Sequence, residues 1–115
     1  MTEADLKPLL KPLVDGRAYP YVVKLTPEGK PAVKPPWIVY TVSDENRADV
    51  FCGTAETAFM VQVDVYASSI DEAKLIRDQA EDAVKALDPV EIHAFSGYES
   101  DTALFRASFE FRVWE

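Results

Sequence analysis

The chain has 115 residues, the size of one compact domain, and 48% of them are apolar, so it can bury a core without disulfides or metals. A formal charge of −8 with scattered basic residues excludes a grip on phosphate backbones, although an acidic wall would let a polyanion slide past without sticking. Cys52 is the only cysteine, so no internal disulfide or multi-cysteine metal site can form, and no apolar run reaches signal-peptide or membrane-spanning length; the expectation is a soluble protein assembled in the cytosol.

In chain order, "TEADLKPLLKPLVDG" places Leu6, Leu9, Leu10, Leu13 and Val14 at helical spacing after a Thr2 cap and stops at Gly16. Pro8 and Pro12 argue for a kink or a late start near Pro8. "AYPYVVKL" predicts a short strand, "TPEGK" a turn that closes a hairpin, and "WIVYTV" a second strand. Residues 43–56, "SDENRADVFCGTAE", interrupt the pattern as a long loop of the functional or mobile kind.

From about Thr57 to Tyr66 a strand alternates, with Phe59, Val61, Val63 and Val65 toward the core and Met60, Gln62, Asp64 and Tyr66 on the far face. The following helix is the clearest element. Ser69 and Glu72 make a capping box, and Ile70, Ala73, Ile76, Ala80, Ala83, Val84 and Leu87 form one apolar stripe that Asp88 and Pro89 end. "VEIHAF" predicts a short strand, "SGYESDT" a turn, and "ALFRASFEFRVW" a final strand with Ala103, Phe105, Ala107, Phe109, Phe111 and Val113 inward. The fold class expected is α+β: a mostly antiparallel sheet of four to five strands with two helices packed on one face, in a single domain spanning 1–115.

Parts for catalysis are few. His93 is the only histidine, no Ser or Cys lies in a nucleophile motif, and the four glycines are spread singly, so no phosphate loop is present. Cys52 beside Gly53 reads as a small apolar filler, and the acids between 71 and 82 as a solvated helix face. Asp64 is the most suggestive acid; with Glu56 or His93 it could serve acid–base chemistry, but charge on a strand is ordinarily its solvated side. No catalytic residue, metal or cofactor is expected. The outer face of the last strand carries Arg106, Ser108, Glu110 and Arg112 and continues to Trp114. Joined to Met60, Gln62, Asp64 and Tyr66, it forms the mixed polar and aromatic surface typical of protein contacts.

The order "LVDGRAYP", "PPWIVYTVS", a variable loop, "FMVQVDVYASSIDEAKLIRDQAEDAVKAL" and "LFRASFEFRVWE" resembles the tail terminator or tail-completion proteins of long-tailed bacteriophages, from about Leu6 to Trp114. The resemblance implies a virion protein, assembled in the host cytoplasm, that forms a ring, commonly of six copies, at the head-proximal end of the tail tube. That ring would end tube growth and offer a docking surface for the head, with DNA passing through its lumen without specific binding and no membrane involved. Its partners would be copies of itself, though the free protein could be monomeric, together with the tail tube protein and the head–tail connector. Ring neighbours are expected to interlock through the outer sheet face, Tyr66 included, with Gln62, Asp64, Arg106 and Arg112 setting register by polar pairing. The loop around Arg47, Asp49, Val50 and Phe51 is expected to order on assembly. Two alternatives stay open: a head–tail adaptor, and a small hydrolase or ligand-binding protein using Asp64 with His93 in a pocket.

Overall fold

A computed structural model describes residues 2–46 and 57–114. Five strands form one sheet in the spatial order β1-β2-β3-β5-β4, made of β1 (Ala18–Pro20), β2 (Trp37–Asn46), β3 (Thr57–Ala67), β4 (Val90–Glu99) and β5 (Leu104–Trp114). All neighbours are antiparallel except β1 and β2, which run parallel. The fold is α+β with a mostly antiparallel sheet, as the residue pattern predicts. Helices α1 (Glu3–Leu10) and α2 (Ile70–Ala83) both pack on one face. Among the described residues no helix is long and apolar enough to cross a membrane.

The period of two along the central strands builds the main core. Val61, Val63 and Val65 of β3 and Phe109, Phe111 and Val113 of β5 meet Ile76, Ala80 and Val84 of α2 and its extension. Ser69 accepts a hydrogen bond from the Glu72 amide at 3.2 Å, which satisfies one orphan donor of the first turn of α2. The helix tightens into a 3₁₀ turn over Val84–Leu87 and stops where Asp88 takes a left-handed conformation. Leu6, Leu10 and Val14 come round to the core at i, i+4 and i+8.

Pro8 does not delay the first helix. It begins at Glu3, where the Asp5 carboxylate accepts the Thr2 amide at 2.8 Å. Pro8 lies inside it, and the chain then changes to a 3₁₀ turn over Lys11–Val14 with Pro12 in its first positions, where a missing N–H is tolerated.

Four expectations from the sequence are corrected. The hairpin before β2 does not form: β1 lasts three residues and pairs parallel with Ile38–Tyr40, and only a single bridge, Leu25 to Pro31, joins the arms of the Thr26–Gly29 turn. Pro31, Pro35 and Pro36 have no N–H to give a ladder, and Tyr21 at φ 66° turns the chain off the sheet edge. The break expected at Ser43 comes later, because backbone pairing with β3 continues to Asn46 opposite Thr57 and overrides the poor strand propensity of Ser, Asp, Glu and Asn. "SGYE" belongs to β4 rather than to a turn, held by register with Leu104–Ala107. Ala103 faces solvent in that turn with φ 55° instead of pointing inward, and Phe105 is half-buried against the Tyr98 ring at 5.0 Å.

Candidate interaction surface

Strand register decides which polar residues meet on the face away from the helices. Across β2, β3 and β5 the rows are Trp37–Tyr66–Arg106, Val39–Asp64–Ser108, Thr41–Gln62–Glu110 and Ser43–Met60–Arg112, and β4 adds Gly97, Phe95, His93 and Val90 to these rows. The far-face residues singled out in the sequence, Met60, Gln62, Asp64, Tyr66, Arg106 and Arg112, therefore do converge on one surface. Arg47, Asp49, Val50 and Phe51, with Cys52 and Glu56, lie outside the described residues.

The end of this surface around Trp37 and Tyr66 is covered by the chain itself. The segment between β1 and β2 crosses over it and closes a second apolar cluster, in which buried Trp37, Val39 and Leu104 pack with Tyr19, Val23, Val33 and Tyr66. The Trp37 and Tyr66 rings stack at 5.5 Å. The Arg17 guanidinium donates to the Pro36 carbonyl at 2.9 Å and ties down the end of the segment. Tyr66 thus turns into its own chain rather than outward. Sequence reading missed this cover; its signal was the apolar set Val23, Leu25 and Val33 inside a proline-rich stretch that reads as plain loop.

Several polar groups of the face are bonded to one another, while the Arg106 Nε is buried without a partner. Asp64 is only 7% exposed; its Oδ1 accepts from the Ser108 hydroxyl at 2.6 Å and from the Gln62 amide at 3.0 Å. Ser108 is fully buried, so the carboxylate is what satisfies its hydroxyl. Arg106 pairs with Glu99 across to β4 at 3.2 Å, and the Tyr66 hydroxyl reaches the same Glu99 oxygen at 3.5 Å. Arg112 pairs with Glu91 at 2.9 Å. These links fasten β3 to β5 and β5 to β4. The surface between them carries shape and fixed polarity.

Burial raises the Tyr66 phenol above its ordinary value, the Asp64 and Glu99 carboxylates add to the shift, and Arg106 opposes it. A raised value in the folded state means stability that is complete below the ordinary phenol value of about 10 and lost as pH rises through the folded one. Tyr66→Phe is therefore expected to lower the urea midpoint slightly at pH 8, and to narrow or reverse that gap at strongly alkaline pH. A gap that stays constant with pH would refute the account of this phenol.

Asp64 and His93 do not form a catalytic pair in this arrangement. They stand on β3 and β4 with β5 between them, a separation of roughly 10 Å from the ordinary strand spacing, and His93 is exposed beside the Phe95 ring at 5.9 Å. Two adjoining clefts, of about 390 and 180 Å³, lie under the covering segment and share Pro31, Trp37 and Thr102. Neither is lined by Asp64 or His93. No group of three or more metal-ligating side chains is gathered among the described residues.

The sheet carries an apolar layer on each side and is braced on its outer face by the Ser108–Asp64, Arg106–Glu99 and Arg112–Glu91 links, a build suited to contacts with other proteins. Comparison with known proteins makes this particular: the family described as tail completion protein gp17 matches over residues 9–115, and the chain belongs to it. It is a structural protein of a phage tail, as the resemblance in the residues implies. A chain of a solved structure described as the virion of a native gene transfer agent particle has the same fold, with a TM-score of 0.61 and 16% identity over 92% of this chain and 84% of that one. A comparison with curated proteins returns no match.

Proposed function

We propose that this chain caps the tail tube as a ring of six copies at its head-proximal end, stops tube growth and presents the surface on which the filled head docks. Membership of the tail-completion family over residues 9–115 is the observation that carries this reading. The build of the subunit supports it: the outer groups are committed to bracing the sheet, so the domain works as a stiff block whose faces and edges meet other proteins. The open part of the outer face, around Met60, Gln62 and Arg112, then meets the tube protein or the connector, while Asp64 and Arg106 hold that face in register from within. A charge of −8 suits a lumen through which DNA slides without binding.

Electron microscopy of particles assembled without this chain tests the reading. Tubes of uncontrolled length are expected. Tails of normal length that fail to attach to heads would favour the adaptor role instead, and normal joined particles would overturn both.

A further inference from the structure

We infer that the clefts under the covering segment form one slot that takes an extended peptide from another virion protein, anchored by an apolar side chain on Trp37. That the peptide belongs to a virion protein rests on the reading above; the chemistry of the slot does not.

The segment between β1 and β2 covers the sheet without closing on it. The two clefts beneath it, of about 390 and 180 Å³, share Pro31, Trp37 and Thr102 and so adjoin at the indole. The larger lies within the range of about 300–1,000 Å³ common to ligand sites. Leu104 and Val33 flank Trp37 in the larger cleft, and Val39, Tyr66 and Val23 line the smaller. Beside a buried indole, these residues offer room for one aliphatic or aromatic side chain, the usual anchor of a protein contact. A segment that served only to seal Trp37 would pack against it and leave no such space.

Polar groups along the slot select a peptide. Thr102 lines both clefts, and its hydroxyl oxygen is buried with no hydrogen-bond partner among the described residues. An amide N–H that enters with the anchor satisfies it. The larger cleft is also lined by Lys30, on the covering segment, and by Asp101, in the turn after β4. Both are exposed, and neither joins an ion pair among the described residues. Glu99, the remaining charge of the slot, is already held by Arg106. One free charge of each sign beside an apolar cleft complements a chain segment that carries an acid and a base on either side of an apolar residue. A phosphate-rich surface would be repelled by Asp101, and an uncharged small molecule would leave both charges unanswered.

The test is an NMR titration of the full chain with two capped pentapeptides, one reading glutamate, glycine, phenylalanine, glycine, lysine and the other the reverse. One of the two is expected to shift the Trp37 indole and Thr102 amide signals saturably, and the same peptide with glycine in place of phenylalanine to shift neither. Lys30→Glu combined with Asp101→Lys, both at exposed positions, should weaken that peptide about tenfold and favour the reverse one. Particles assembled with this double variant should lose joining between tail and partner. Saturation by neither peptide, equal binding of both, an unchanged preference in the double variant, or equally tight binding of free phenylalanine would overturn the peptide slot. Shifts of the same signals with chain concentration alone would assign the slot to a second copy and overturn it as well. Normal joining by the double variant would overturn the virion partner. The ring reading is read separately, from tube length in particles assembled without the chain, so it stands or falls independently of the titration.

Discussion

Trp37→Ala is expected to remove about 3–5 kcal/mol of folding stability, the range for truncating a large aromatic in a packed site. Trp37 is 3% exposed and is the common floor of the second apolar cluster, where it stacks on Tyr66 and touches both clefts under the covering segment. For a domain of this size such a loss corresponds to a fall in Tm on the order of 10–20 °C. The effect has a local signature too. Without the indole, Val23 and Val33 lose their packing partner and the segment between β1 and β2 lifts from the sheet. Trypsin should then cut after Lys24, since the lysines at 30 and 34 are each followed by proline and resist cleavage. Thermal melts and timed proteolysis check both parts. A variant with parental Tm and an intact Lys24 bond would show that the second cluster contributes nothing to holding the outer face.

Asp64→Ala should cost roughly 1–3 kcal/mol, because it leaves the buried Ser108 hydroxyl without its acceptor and removes an acceptor from the Gln62 amide. Asp64→Asn, which keeps an oxygen in that position, should cost less. The double variant Asp64→Ala with Ser108→Ala should be less unstable than the sum of the two single changes, by about 1 kcal/mol or more, since the second change deletes the group stranded by the first. Urea titrations of the four proteins close this cycle. Strict additivity, with near-parental stability of Asp64→Ala, would mean that the carboxylate serves something outside its own subunit, either a partner protein or a reaction, and the bracing role would be lost.

The two results together separate the layers of the outer face. One end is an apolar lid drawn from the same chain, the middle is a buried polar brace, and the remainder is open.

Much of this protein follows from local pattern. The alternation in "FMVQVDVYA" places Val61, Val63 and Val65 in the core, the cap at Ser69 and the stripe Ala73–Ile76–Ala80 fix α2, and alternate phenylalanines in "FEF" set the face of β5. Burial of one side of a strand or helix is a periodic demand that a few consecutive residues already satisfy, so these elements and their inward faces are legible without any partner strand. The resemblance to tail-completion proteins was legible for the same reason, being carried by those elements in order. Long-range pairing was not. The parallel seating of β1, the continuation of β2 to Asn46, the bond from Ser108 to Asp64 across forty-four positions, and the folding of a proline-rich segment over Trp37 all depend on which distant residues become neighbours. Sequence alone shows that Asp64 faces away from the valines; only the tertiary arrangement decides that it is buried there, because the hydroxyl and amide that satisfy its charge, and the neighbouring rows that exclude water from it, come together only when the whole sheet is assembled.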